Sequence, residues 1–155
     1  MRIFSSILFL LFLSANSFTA KVIRIIDGDS MVVLTRQNKE VYVRFEGIDC
    51  PEKKQDFGEK AKQVTSGFCL GKTVRIQKTG RDRYGRMLAN VYVGNLCVNK
   101  ELVRLGMAWH FKKYNHDPEL AELELKARKL KVGIWSRKGA VPPWESRKIK
   151  KSRNL

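Results

Sequence analysis

Apolar and polar residues alternate through much of the first half of the chain, which is the two-residue period of a β-strand that buries one face. β-branched and aromatic residues dominate these runs, and turn-forming residues stand between them. In one run the apolar residues Val41, Val43 and Phe45 share a face, so Arg44 is expected on the opposite face. The predicted strands cover residues 22–26, 30–34, 41–45, 73–77, 87–93 and 96–98.

The spacing of apolar residues changes to a helical period in three segments. Residues 57–70 contain few helix breakers and are predicted to form the first helix. A second, short helix is expected to begin with Asn99 as its N-cap and to end at Gly106. The third helix is expected to begin with Asp117 as its N-cap, because a proline follows at the first helical position, and to stop at Gly133.

These elements predict one α+β domain with a mainly β core. Five short strands are expected to form a Greek-key barrel with about three packed α-helices, and the oligonucleotide-binding (OB) barrel is one such architecture. The chain of 155 residues has no internal repeat and room for one domain, predicted over residues 21–147. The chain is expected to become loop-like after Trp135 and to end in a basic tail over residues 148–155, whose role stays open.

The N-terminus has the organisation of a secretory signal. Arg2 precedes an apolar run, densest over residues 7–13, and small polar residues follow. The run is shorter than the roughly 20 residues that a membrane-spanning helix needs. We expect a signal peptide within residues 1–20, cleaved after Ser17 or Ala20, and therefore a secreted or periplasmic protein. An uncleaved membrane anchor is the alternative.

Composition narrows the class of partner. The chain has 31 Lys and Arg against 15 Asp and Glu, and this surplus of positive charge favours an anionic partner. Nucleic acid, a membrane surface and an acidic polysaccharide all satisfy that condition. The three cysteines form no CxxC pair, which excludes a disulfide-dense miniprotein and argues against a cysteine zinc site. Which of Cys50, Cys69 and Cys97 pair, if any do, stays open.

Three charged clusters stand at predicted turns, over residues 27–29, 44–52 and 81–86. Each could be an ordinary surface turn, since Asp and Gly are common turn residues. The first could instead be a site for a hard cation, because Ca²⁺ and Mg²⁺ prefer carboxylate and carbonyl oxygens. In the third, a tyrosine between arginines could contact a nucleotide.

Together the clusters contain what hydrolysis of a phosphodiester needs. Asp29 and Asp49 could bind a cation, and Glu52 is a spare carboxylate for acid–base chemistry. Arg44 and Arg86 are two guanidiniums that could stabilise the charge that develops on the phosphate. The sequence therefore predicts a metal-assisted phosphodiesterase.

Several segments carry this chemistry in a characteristic order: IDGDS (26–30), VRFEGIDCPE (43–52), FGEKAK (57–62), GKTVRI (71–76), DRYGRMLANVYV (82–93), VNKELVRLGMAW (98–109), KVGIW (131–135) and PWESR (143–147). In these segments the chain resembles the staphylococcal nuclease (thermonuclease) family over nearly its whole mature length. The resemblance implies a five-stranded OB-fold barrel and a Ca²⁺-dependent, sugar-nonspecific nuclease acting on DNA and RNA. It also implies products with 3′-phosphate and 5′-hydroxyl ends.

The resemblance also assigns individual residues. The metal ligands fall on Asp29, Asp49 and the main-chain carbonyl of Cys50, and Asp27 falls close to the metal without binding it. The catalytic residues and the nucleic-acid contacts fall on Arg44, Glu52 and Arg86, and on Arg83, Tyr84 and Tyr114.

Other interpretations remain. A non-catalytic nucleic-acid-binding OB module would share the barrel, and a basic exported protein could adhere to membranes or anionic polysaccharides. His110 and His116 are expected at the surface, and the three tryptophans are expected to be packing anchors. No stable protein partner is implied, and we expect a monomer.

Overall fold

The structure, a computed structural model, describes residues 16–153. The strands in this range are β1 (Ser17–Asp27), β2 (Ser30–Leu34), β3 (Glu40–Phe45), β4 (Ile48–Asp49), β5 (Thr73–Arg81), β6 (Met87–Val93), β7 (Leu96–Cys97) and β8 (Trp109–His110). The helices are α1 (Gly58–Cys69), α2 (Val98–Arg104), α3 (Pro118–Leu130) and α4 (Pro143–Arg153), with a 3-10 helix over Gly133–Ser136.

Five of the described strands close into a barrel in the order β3-β2-β1-β5-β6. Neighbouring strands in this order are antiparallel, and the parallel pairing of β3 with β6, which sets Val43 opposite Met87, closes the barrel. β7 extends the sheet beyond β6, and β4 pairs with β8 in a separate two-stranded sheet. The predicted OB-type α+β architecture is therefore confirmed.

The alternation in the sequence matches the faces of the strands. Val43 and Phe45 are buried in the core, whereas Arg44 between them points to the other face, as predicted. α1 contacts β1, and α2 contacts β6, so the helices cover apolar faces of the barrel. α3 begins as predicted, because the Asp117 side chain accepts a hydrogen bond from the main-chain N–H of Glu119 at 2.8 Å.

The predicted start of α2 and the predicted end of α3 are wrong. α2 begins one residue before Asn99, which is buried and cannot be the N-cap. Its side chain accepts from the N–H of Val91 and donates to the carbonyls of Glu46 and Ala89, so it joins α2 to the barrel. α3 ends at Leu130, and Gly133 instead begins the 3-10 helix.

The segment predicted to be a loop and a basic tail forms α4, a fourth α-helix where about three were expected. The carbonyl of Pro142 accepts hydrogen bonds from the N–H groups of Glu145 and Ser146 in its first turn. Trp144 stacks on Phe111 with ring centroids 5.0 Å apart and an interplanar angle of 11°. Residues 148–153 are exposed, as expected for a basic tail, but the contacts at the start of α4 dock the helix on the domain.

Residues 1–15, which hold most of the predicted signal peptide, lie outside the described residues. β1 begins at Ser17, five residues before the predicted start of that strand, and its residues 17–21 pair with β5. Ala20 is buried in the core. Among residues 16–153, no helix has the length and apolar character needed to cross a bilayer.

The cysteines and histidines differ in how far they are buried. All three cysteines are free thiols, with Cys50 and Cys69 buried. His116 is exposed as expected, but the surface prediction for His110 is wrong. His110 lies in β8, only 3% exposed, with Nε2 3.1 Å from the side-chain oxygen of Asn115. The pairing of β8 with β4 buries it, and periodicity could not predict that pairing.

Candidate active site

The turn between β1 and β2 packs directly against the end of β4. A Cβ atom on Gly28 would lie 2.8 Å from the side chains of Cys50 and Ala61, so only glycine allows this approach. Thr65 in α1 donates to the carbonyl of Gly28 at 2.5 Å and holds the turn in place. The Asp-Gly-Asp sequence is therefore a turn, and its close packing brings Asp29 to Cys50.

Asp27 makes its contacts within this turn. Its Oδ1 accepts from the hydroxyl of Ser30 at 2.5 Å and from the main-chain N–H of Asp29 at 3.2 Å. It therefore lies beside Asp29 and holds the turn.

One guanidinium joins the turn to β4. Nη1 of Arg44 lies 2.5 Å from Oδ1 of Asp29, and Nη2 lies 2.8 Å from Oδ1 of Asp49. The other oxygen of Asp29 accepts from the main-chain N–H of Cys50 at 2.5 Å. Asp29 and Asp49 are 5% and 2% exposed, so the cluster is almost closed to bulk water.

Burial and the neighbouring charges shift the pKa values of Asp29 and Arg44. Burial raises the pKa of Asp29 to about 7, because Arg44 only partly offsets the desolvation and the carboxylates of Asp27 and Asp49 raise it further. Burial lowers the pKa of Arg44, but the carboxylates of Asp29 and Asp49 outweigh burial and raise it overall. A buried, electron-rich oxygen site of this kind fits a hard cation.

At Cys50, the atom that suits a hard cation is the main-chain oxygen and not the sulfur. Burial raises the pKa of the Cys50 thiol well above its usual value, so the sulfur stays protonated and the main-chain carbonyl is the natural oxygen donor at this position. The residues that the structure describes include no group of three His, Cys, Asp or Glu side chains arranged for a metal. The ligand set implied by the resemblance uses only two carboxylates, Asp29 and Asp49, with that carbonyl.

Glu52 lies on the loop between β4 and α1. A Cβ on Gly58 would lie 2.1 Å from the carbonyl oxygen of Glu52, so the first residue of α1 must be glycine. The side chain of Gln55 accepts from the N–H of Glu52 at 2.8 Å and donates to the carbonyl of Val141 at 3.1 Å. The main chain around Glu52 is therefore fixed to α1 and to the segment that precedes α4.

Arg147 of α4 completes the cluster. Its Nη1 lies 2.6 Å from Oε1 of Glu52, and its Nη2 lies 2.7 Å from Oδ2 of Asp49. Burial lowers the pKa of Arg147, but its hydrogen bonds to these two carboxylates raise it overall. Arg147 belongs to the PWESR segment of the family resemblance, but the sequence alone assigned it no role. The available signal was its spacing of three residues from Trp144, which places both on one face of a helix.

Arg86 does not contact the carboxylate cluster. Its Nε lies 2.7 Å from Oδ2 of Asp82, and this pairing lowers the pKa of Asp82 against the opposing effect of burial. The β3–β6 pairing sets Arg44 opposite Leu88, and Arg86 immediately precedes β6, two residues before Leu88.

The predicted nucleic-acid contacts lie on exposed loops. Arg83 donates to the hydroxyl of Tyr84 at 2.7 Å, and the Tyr84 ring is 69% exposed. Tyr114 is 67% exposed and packs edge-on against Phe111. A cleft of about 650 Å³ brings two of these predicted contacts beside Arg147, and its lining includes Arg83, Phe111, Lys113, Tyr114, Trp144 and Arg147.

Comparison with known proteins shows the family of the chain. The sequence profile described as "Staphylococcal nuclease homologue" matches residues 42–137. An "Uncharacterized endonuclease" of Haemophilus influenzae is 39% identical over 138 residues, which cover 89% of this chain and 78% of the relative. An "Uncharacterized endonuclease" of Escherichia coli O157:H7 is 44% identical over 125 residues, which cover 80% of this chain and 81% of the relative. "Staphylococcal-like nuclease CAN1" of Arabidopsis thaliana is 34% identical over 127 residues, which cover 79% of this chain but 39% of the relative. The chain therefore belongs to the staphylococcal nuclease family.

Proposed function

We propose that the protein is a Ca²⁺-dependent nuclease that hydrolyses phosphodiester bonds in DNA and RNA and leaves 3′-phosphate and 5′-hydroxyl ends. The observation that carries the proposal is the grouping of Asp29, Arg44, Asp49 and Glu52 in one site. Arg44 joins Asp29 to Asp49, and Arg147 joins Asp49 to Glu52. Membership of the family and the names of its relatives support the nuclease activity.

Glu52 is the proposed general base. Its side chain is 35% exposed, so water can reach the carboxylate, while the neighbouring Asp49 is buried. Proton transfer from water to a positioned carboxylate typically contributes about 10²–10⁴-fold to a rate. The rest of the rate enhancement must come from positioning and from stabilisation of charge.

Asp29, Asp49 and the carbonyl of Cys50 would hold Ca²⁺. When bound, the ion would supply positive charge that stabilises a phosphate carrying additional negative charge. Arg86 contacts Asp82 through Nε, so its terminal nitrogens can bind phosphate oxygens. Arg44 pairs with Asp29 and Asp49 through its two terminal nitrogens, and its planar fork of five N–H donors leaves further donors for a phosphate oxygen.

Water as the nucleophile makes the sugar unimportant. A ribonuclease that uses the 2′-hydroxyl commonly relies on histidine acid–base pairs. In this protein His110 is buried beside Asn115 and His116 is exposed. Neither contacts the carboxylate cluster among the described residues, so activation of water by Glu52 predicts cleavage of DNA as well as RNA.

One assay tests the activity directly. The purified protein is incubated with DNA and with RNA, with Ca²⁺ or with excess chelator, and binding is measured in parallel. Cleavage that requires Ca²⁺ supports the proposal, whereas binding without cleavage indicates the non-catalytic OB module. The proposed secreted or periplasmic location is tested separately by fractionation and by sequencing the N-terminus of the exported protein.

A further inference from the structure

We propose that Arg147 is a positioning residue of the active site, which orients the carboxylate of Glu52 beside Asp49. This inference rests on the proposed function, because it gives α4 a part in the same reaction. α4 follows the region matched by the family profile, which ends at residue 137. The sequence alone predicts a loop after Trp135 and a basic tail over residues 148–155, yet this part of the chain forms a helix that reaches the centre of the candidate site.

The carboxylate of Glu52 needs an external partner because its loop belongs to no helix or strand. Gln55 fixes the main-chain N–H of Glu52, but that bond leaves the side-chain torsions free. Within residues 16–153, the Glu52 carboxylate makes one polar contact with a side chain, to Nη1 of Arg147 at 2.6 Å. Arg147 therefore determines where the proposed base points.

The geometry suits a guanidinium in particular. The two terminal nitrogens of Arg147 reach two different carboxylates, Oε1 of Glu52 and Oδ2 of Asp49. Since Arg44 holds Oδ1 of Asp49, the two arginines lie on either side of one buried carboxylate. A lysine has a single ammonium group and cannot reproduce this planar, two-pronged contact.

The helix that carries Arg147 is itself fixed. Trp144 stacks on Phe111, and Pro143 at the start of α4 is buried. Gln55 donates to the carbonyl of Val141, just before the helix, and the same side chain holds the N–H of Glu52. The Glu52 loop is therefore joined to α4 and the segment that precedes it at two places, once through the Gln55 side chain and once through the Arg147 guanidinium.

A double-mutant cycle tests the proposal. Arg147→Ala, Glu52→Gln and the double variant are compared in steady-state cleavage of DNA. Lys151→Ala is the control, because Lys151 is an exposed cation on the same helix. Removal of a residue that orients a functional side chain is expected to lower kcat by about 10–100-fold, with KM changed by less than about 3-fold. Lys151→Ala should keep kcat within about 2-fold of the wild type, as expected for a surface substitution.

The Glu52→Gln background separates positioning from other roles. If Arg147 acts through Glu52, Arg147→Ala should cause little further loss of kcat once the carboxylate is gone. Equal losses in both backgrounds would overturn the proposal, because Arg147 would then act independently of Glu52. Arg147→Lys, which keeps the charge and the helix, should recover only part of the loss; recovery to the wild-type rate would also contradict a planar guanidinium role.

A second readout does not depend on activity. The same cycle is measured by thermal unfolding. Because the two side chains are in contact, the changes that the two single substitutions cause in the free energy of unfolding should not add up in the double variant. If the Ala variant does not fold, Arg147→Lys and Arg147→Gln take its place in both cycles. A wild-type protein that cleaves no nucleic acid would refute the proposed function and this inference with it, whereas an active wild type with an equally active Arg147→Ala would refute only the inference.

Discussion

The main-chain N–H of Cys50 donates to Oδ2 of Asp29 at 2.5 Å, which joins two turns that lie 21 residues apart in the chain. This bond sets the Asp29 carboxylate next to the Cys50 peptide and leaves its other oxygen to Arg44. A cation bound here would contact the carboxylates of Asp29 and Asp49, one from each of these two segments.

Ca²⁺ should support activity best, and excess chelator should abolish it. Donors spread over two turns suit Ca²⁺, whose coordination is flexible, better than Mg²⁺, which requires a near-ideal octahedron. Ca²⁺ should also raise the thermal unfolding midpoint of the wild type and of Asp56→Asn, an exposed carboxylate, but not of Asp29→Asn. Full activity in chelator would exclude a catalytic metal here, and equal rates with Mg²⁺ would contradict the selectivity argument.

Glu52→Gln should keep the fold and nucleic-acid binding but lose turnover by about 10²–10⁴-fold, because the amide cannot accept a proton from water. The matched control is Glu59→Gln, an exposed carboxylate in the first turn of α1. Turnover is measured with a labelled oligonucleotide, and binding by anisotropy in chelator. Turnover within a few-fold of the wild type would remove Glu52 from the role of base.

Arg44→Lys and Arg86→Lys should each reduce turnover severely, although each keeps the charge. Lysine cannot make paired planar contacts to two phosphate oxygens. Arg104→Lys, an exposed arginine paired with Glu101 on α2, is the control and should stay active. The assignment of phosphate contacts is wrong if both site variants cleave at the rate of the control.

Gly58→Ala should impair the protein, whereas Gly67→Ala in the same helix should not. A Cβ at position 58 would collide with the carbonyl oxygen of Glu52, while nothing lies within 4 Å of a Cβ at position 67. Overpacking of this kind typically costs about 1–3 kcal/mol, and the Gly67 change should stabilise by about 0.4–1 kcal/mol. Thermal unfolding measures the stability, and turnover should fall for Gly58→Ala because the Glu52 loop must move. Equal stability and activity of the two variants would contradict this packing argument.

The products should carry 3′-phosphate and 5′-hydroxyl ends, on DNA as well as RNA. The family resemblance implies that the bond between phosphorus and the 5′ oxygen breaks. Activation of water by Glu52 removes the need for a 2′-hydroxyl. Fragments should accept label at 5′ from a kinase without 3′-phosphatase activity, and a polymerase should extend them only after removal of the 3′-phosphate. Extendable 3′-hydroxyl ends, or cleavage of RNA to 2′,3′-cyclic ends with DNA intact, would refute it.

The sequence by itself determined the local structure and the inventory of chemistry. Alternation of apolar residues gave the face on which Arg44 lies, and the Asp117-Pro118 pair gave the start of α3. These features depend on the intrinsic geometry of a strand or on a cap within one turn of a helix, so neighbouring residues suffice to predict them. The residues of the proposed catalytic network were also recognisable, because their types and order are distinctive.

Tertiary structure decided the features that depend on residues far apart in the chain. Asn99 fits a helix cap by its type, but the space between α2 and β6 makes it a buried bridge to Val91 and Glu46. Arg147 lies 95 residues from Glu52, and no local period encodes their contact. That contact depends on the stacking of Trp144 on Phe111, which holds α4 against the domain. Packing of this kind forms only when the whole domain has folded.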